Sequence, residues 1–177
     1  MVKKILYLVA LTFCSSFATL NWSEVLKEKV DNAIKITFEI DTFSIEEIIV
    51  SESLKSEIST DINNSNFFKI KSNNNLIGYA YIGKAPSMKN EFDYIIMFDE
   101  DLIIKKSKVL IYREDHGRQI GSQRWLKQFI GKTKNDTLSY GDDIVGISGA
   151  TISASSMTKA TNNVLKTINI LFNNNIF

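Results

Sequence analysis

The sequence predicts an α+β fold: an antiparallel sheet of hairpins with flanking helices, closed by a C-terminal amphipathic helix that follows a small-residue turn. Three observations lead there. Four β-rich runs occupy the centre of the chain, asparagine- or aspartate-rich turns separate them in pairs, and helical periodicity is confined mainly to the two ends. Helices on one side of the sheet or at its ends are the simplest assembly of these parts.

Taken in order, the chain opens with Lys3 and Lys4, then an apolar run from Ile5 to about Leu20, with small residues at Ser16 and Ala18. This reads as an export signal over residues 1–18, cleaved after Ala18. Retention as an anchor is the alternative, the run being slightly shorter than the roughly 20 apolar residues of a spanning helix. Trp22, Val25, Leu26, Val30, Ala33 and Ile34 recur at helical spacing behind Ser23, a plausible N-cap, with Glu28, Lys29 and Asp31 on the wet side. Ile36, Phe38 and Ile40 alternate with polar residues, which suits a short strand or the end of that helix. Leu54, Ile58 and Ile62 place a second short helix within Ser51–Ile62.

Phe67–Lys71, Leu76–Ile82, Tyr94–Phe98 and Ile103–Tyr112 are the strand runs, joined in two hairpins by Asn73-Asn74-Asn75 and Asp99-Glu100-Asp101. Tyr79, Tyr81, Phe92 and Tyr94 alternate as core residues do. Gly83–Phe92 holds the only proline, Pro86, and reads as a loop near the binding face. Trp125, Leu126 and Phe129 form a turn of helix after Ser122, and Gly131–Asp143 is a polar connection. The last helix begins between residues 151 and 156 and turns Met157, Ala160, Val164, Leu165, Ile168, Leu171 and Phe172 inward, with Lys159, Asn162, Asn163, Lys166 and Asn169 outward. Residues 19–75 thus form an N-terminal segment packed on a domain spanning 76–177.

Composition narrows the chemistry. With 177 residues the chain is one domain plus at most a small appendage, and its 44% hydrophobic content fits a globular core. Twenty-one basic against 20 acidic residues leave a net charge of +1, so no broad field draws it to nucleic acid. The single cysteine, Cys14, lies in the export segment behind Phe13, where a lipidation signal needs a small residue. The mature chain therefore has no disulfide, thiolate metal site or iron–sulfur cluster, and its lone His116 excludes His-rich zinc and c-type haem. Any redox centre must be a bound organic cofactor.

The chemistry-bearing stretch is Gly146-Ile147-Ser148-Gly149-Ala150-Thr151-Ile152-Ser153, a turn of small residues that runs into the last helix. Small residues admit a phosphate close to the backbone, free N–H groups of a first helical turn point at it, and the helix dipole favours its charge. Ser153, Ser155, Ser156 and Thr158 supply hydroxyls that can also satisfy those N–H groups.

Ser148-Gly149-Ala150-Thr151 with Ile152-Ser153 resembles the flavinylation motif of the FMN-binding domain family, which includes the covalent-flavin components of the sodium-pumping NADH:quinone oxidoreductase and of the Rnf electron-transport complex. Tyr112-Arg113-Glu114-Asp115-His116-Gly117 and Arg124 to Lys132 are similar to the stretch before that motif in small exported members. The resemblance spans roughly Leu76 to Phe172. It implies an α+β domain binding FMN near Ser148, Gly149, Ala150, Thr151, Ile152, Ser153, Glu114, His116 and Gly117. The phosphoester would be on Thr151, made outside the cytoplasmic membrane by a separate flavin transferase. It further implies an electron-transfer component in the periplasm or on the outer face of that membrane, with an unidentified donor and acceptor and a membrane redox complex as a candidate partner. The family commonly has Asp three residues before the motif serine. Here Val145 stands there, with Asp142 and Asp143 slightly earlier, which leaves non-covalent FMN and a flavin-free exported binding or scaffold module as alternatives.

Two other constellations compete. Gly146-Ile147-Ser148-Gly149-Ala150 approximates a nucleophile elbow, but no histidine follows Ser148 as that hydrolase order requires. A triad of His116, one of Asp136, Asp142 or Asp143, and Ser148 is possible in a different chain order. His116 can equally hydrogen-bond a flavin edge or stand free in a solvated loop, and Arg113, Glu114 and Arg118 suit a solvated or partner-facing patch.

Overall fold

The computed structural model describes residues 22–63 and 65–177; the expected export signal over residues 1–18, with Cys14, lies outside the described residues. Five strands form one antiparallel sheet in chain order: β1 (Ser44–Glu47), β2 (Phe67–Ser72), β3 (Asn75–Pro86), β4 (Glu91–Phe98) and β5 (Ile104–Ile111). α1 (Glu24–Phe38) and α4 (Thr151–Asn173) are the long helices, and α2 (Glu52–Lys55) and α3 (Gln123–Leu126) are single turns. None of the described helices is long and apolar enough to cross a membrane.

The α+β class holds, but the helices cover both faces of the sheet rather than one. Val30, Ala33 and Ile34 of α1 pack with Phe68, Ile70, Ala80, Ile82, Ile95 and Met97. Met157, Val164, Leu165, Ile168 and Leu171 of α4 pack on the opposite face with Tyr79, Tyr81, Phe92, Tyr94, Ile96 and Phe98. Two covered faces explain why β4 is buried at every position after Glu91, a pattern that simple one-face alternation does not produce.

Several local expectations are corrected. α1 continues through Ile36 to Phe38 and stops where Glu39 turns left-handed (φ 56°), so the alternation after Ile34 belongs to a helix end. Ser23 does cap it, accepting from Leu26 N, but Val25 faces solvent. The second helix spans only Glu52–Lys55: Ser51 caps its start, and Ser56 ends it by donating its hydroxyl to the Ser53 carbonyl. β1 was not foreseen. Gly83–Phe92 is not a loop, because β3 and β4 pair through Ala85↔Phe92 to Pro86↔Glu91, leaving a tight turn at 87–90. Pro86 is tolerated there because β2 ends its pairing at Tyr81, so this part of β3 is a free edge.

The three-asparagine turn has left-handed Asn73 (φ 50°) and Asn74 (φ 66°), as a two-residue hairpin demands. Phe172 is exposed, its ring covered by Lys134 Nζ 3.9 Å from the centroid. The inward face of α4 is wider than its apolar stripe, since Thr158 and Thr161 are buried and return their hydroxyls to the Ala154 and Met157 carbonyls.

Candidate functional site

α4 begins without a side-chain cap. Its N-cap is Ala150 (φ −138°, ψ 28°), and the hydroxyl-rich first turn does not close back on its own N–H groups. A missing cap forgoes about 1 kcal/mol. Each large apolar side chain that α4 buries returns about 1.5–3 kcal/mol, so packing further along fixes the helix while its mouth stays open. Gly149, at φ 77°, turns the chain into that mouth, and a Cβ built there would meet nothing within 4 Å. Thr151 and Ile152 are exposed, and Ser153 faces inward.

The stretch after β5 comes to meet this turn. Tyr112 OH and Ser153 Oγ are 3.0 Å apart, a hydrogen bond across 41 residues of sequence. Gly117 (φ 76°) lies against the turn itself: a Cβ there would stand 2.9 Å from Tyr112 OH, 3.1 Å from Ala150 Cβ and 3.1 Å from the Gly149 carbonyl. Only glycine supplies both the left-handed conformation and the closeness. The two sequence blocks that carry the family resemblance are thus in contact.

Glu114 completes the frame from the other side. Its Oε1 accepts from Ser87 Oγ (2.7 Å), Lys89 N (2.7 Å) and Asn90 N (2.8 Å), tying the 87–90 turn to the chain beyond β5. These bonds, the Ser87 hydroxyl first, pull its carboxyl from the ordinary 4.5 to about 2. Arg113, itself exposed, is bound to the buried Asp93 carboxylate at 2.5 Å and the Glu91 carbonyl at 2.9 Å, and so braces the start of β4.

Together these segments enclose an open cavity of about 350 Å3. Of the residues expected at the site, Glu114, His116, Gly149, Ala150, Thr151, Ile152 and Ser153 line it. Ser148 is exposed and does not line it, and Gly117 stands behind its wall. Sequence reasoning missed Met88, Lys89, Tyr112 and Asp115 as lining residues. The signal for Tyr112 was its place at the end of β5; for Met88 and Lys89 it was their place in Gly83–Phe92, the segment expected near the binding face.

The hydrolase readings find no support in the geometry. His116 is exposed and makes no hydrogen bond among the described residues, Asp136 is occupied by Thr133, and Asp143 accepts from Ser139 N. A larger cavity, about 520 Å3, lies near Trp22, Asp61, Tyr81 and Tyr94, away from the motif. It has no uncapped helix mouth, and its tyrosine hydroxyls are held protonated by burial, Tyr81 at about 12.

An FMN phosphate needs N–H donors, room against the backbone and no competing carboxylate at the helix mouth. The uncapped first turn, which carries no acidic residue, and the open Gly149 meet these requirements at the helix mouth itself, while Glu114 and Asp115 line the cavity beyond it. No curated protein matches this chain. A family model does: residues 88–166 match the FMN-binding domain, a range that contains the 87–90 turn from Met88 onward, the Tyr112–Gly117 stretch, the motif and α4 as far as Lys166. Residues 88–166 carry an FMN-binding domain, with FMN as its cofactor.

Proposed function

We propose that this chain is an exported electron-transfer flavoprotein whose Thr151 carries FMN through a phosphoester. The observation that carries the reading is the exposed Thr151 hydroxyl at the first position of an uncapped 23-residue helix, on the lip of the cavity. The first-turn N–H groups, with Gly149 and Ala150, would hold the phosphate; Ser148, Ile152 and Ser153 flank it. Tyr112 and Gly117 keep that turn in place, and His116 offers an imidazole at the rim.

Thr151 Oγ1 donates no hydrogen bond to any base among the described residues, so the chain does not activate its own hydroxyl. A separate flavin transferase supplies the base that takes the hydroxyl proton and an activated flavin nucleotide. The Oγ1–P bond forms as the phosphoanhydride bond to the leaving half breaks, and no oxidation state changes. FMN, when bound, supplies one- or two-electron transfer; the protein supplies retention, orientation and solvent exclusion. Outside the cell's interior a lost cofactor is not replaced, and a covalent bond removes the concentration dependence of reversible binding. Export follows from the Lys3-Lys4 and apolar opening of the chain. Electrons pass from one partner to another, with a membrane redox complex as the candidate setting.

Intact mass tests the reading. Mature protein co-expressed with an active flavin transferase gains FMN less water, keeps that gain in Thr151→Ser and loses it in Thr151→Ala. An unmodified mass in the parent protein, with transferase activity verified on another acceptor, sinks the covalent attachment.

A further inference from the structure

Met88 is 75% exposed and Ile152 is 52% exposed, and both line the cavity. Met88 sits on a four-residue turn that is unusually well held. Besides the three bonds to Glu114 Oε1, Ser87 N donates to the Asn90 carbonyl (2.7 Å), and Asn90 Nδ2 donates to the Arg113 carbonyl (3.3 Å). An exposed methionine contributes little to folding, and an exposed hairpin tip does not ordinarily need a carboxylate brought from 24 to 27 residues away. Such fixing is what a binding wall requires, because a contact held in place before binding loses less entropy when it forms. Lys89 adds the only lysine or arginine among the residues lining the cavity. The helix mouth lines the same cavity, so a ligand whose phosphate is at Thr151 has this turn within the space left for its other end.

We propose that the 87–90 turn is the ring-facing wall of the flavin site: Met88 packs its thioether on the isoalloxazine, Lys89 places a positive charge beside it, and Glu114 is a positioning residue that fixes both. This rests on the reading of Thr151 as the phosphate end. Sulfur–aromatic contact suits a flat polarisable ring, and a nearby cation favours the more negative reduced flavin, raising its potential. Because the Glu114 carboxyl is held near 2, the clamp stays ionised across the range in which such a protein operates.

The test uses the full chain in two forms. Protein made without transferase is titrated with free FMN by fluorescence. Met88→Ser weakens binding by about 2- to 10-fold, the equivalent of losing one sulfur–aromatic contact. Glu114→Ala gives a comparable loss, and the double variant loses no more than the larger single one, since both remove the same wall. Glu114→Gln, which keeps an acceptor oxygen, restores most of it. In transferase-loaded protein, Lys89→Gln shifts the midpoint potential to more negative values and Lys89→Arg restores it, with the FMN adduct mass unchanged in every variant. Parent-like affinity in Met88→Ser and Glu114→Ala, or a parent-like potential in Lys89→Gln, overturns the assignment while the phosphate reading stands. Parent protein that neither binds FMN nor gains the adduct overturns both.

Discussion

Adding one methyl group at Gly117 tests whether the stretch after β5 braces the motif turn. The new Cβ would lie 2.9 Å from Tyr112 OH and 3.1 Å from both Ala150 Cβ and the Gly149 carbonyl, and it would sit at φ 76°. Gly131 is the control: it has a similar φ of 81°, but its Cβ would meet nothing within 4 Å. The left-handed conformation alone costs an L-residue about 1–2 kcal/mol. Overpacking adds about 1–3 kcal/mol, and it applies at Gly117 alone. At about 2–4 °C per kcal/mol for a chain of this size, Gly131→Ala lowers Tm by about 2–8 °C and Gly117→Ala by about 4–20 °C. The control should still load FMN fully. Gly117→Ala should load poorly, because relieving its contacts moves either Tyr112 off Ser153 or the Gly149–Ala150 turn off the helix mouth. Scanning calorimetry and intact mass on the two variants decide it. Equal Tm losses together with equal loading would refute the brace.

Asn162→Ala removes both side-chain bonds that hold the backbone of the buried Leu138, one accepted by Asn162 Oδ1 from its N–H at 2.7 Å and one donated by Asn162 Nδ2 to its carbonyl at 2.5 Å; two orphaned groups at about 1–3 kcal/mol each should lower denaturant stability clearly at unchanged m-value. The Glu114 clamp has a signed pH dependence. Its folded carboxyl lies below the unfolded value, so its contribution is complete above the ordinary 4.5 and is lost as pH falls through about 2. The Lys89 and Asn90 amide resonances should therefore stay flat from neutral pH to below 4.5 and move only toward pH 2; an inflection near 4.5 would contradict the geometry. Val145→Asp puts back the carboxylate common in the family at a side chain 65% exposed. Tm should change little, as at most exposed positions, and adduct formation by the transferase should accelerate; a parent-like rate would show that the transferase does not read that position.

The parts legible in the sequence were those governed by local rules. α4 announced itself through three- and four-residue spacing, the β2–β3 turn through consecutive asparagines that tolerate positive φ, and α1 and α3 through Ser23 and Ser122 as caps. β1 escaped because its four residues, Ser44 to Glu47, carry two charges. It exists because β2 offers it a partner and because Lys69 and Lys71 both pair with Glu46 across the strands. Pro86 misled for a related reason: it bars a strand interior, and only the early end of β2 makes its position an edge. At the site, the motif was readable as a phosphate-sized opening. The roles of Tyr112 and Glu114 were not, since each depends on a partner 24 to 41 residues away.

Those distant partners explain how a chain can depart from its family at Val145 and keep the site. The Val145 backbone is held at both of its polar groups: its N–H donates to Gln128 Oε1 at 2.8 Å, and its carbonyl accepts from Trp125 Nε1 at 2.6 Å. The backbone entering the motif is thus fixed by α3 and the turn after it, whatever side chain position 145 carries. Downstream, Gly117 and Tyr112 fix the turn and the first helical residues independently of position 145. A carboxylate at 145 would project into solvent from a path already set on both sides. Under the proposed covalent attachment, its presence in relatives would therefore concern the molecule that approaches from solvent, the transferase, and not the shape of the opening at the helix mouth.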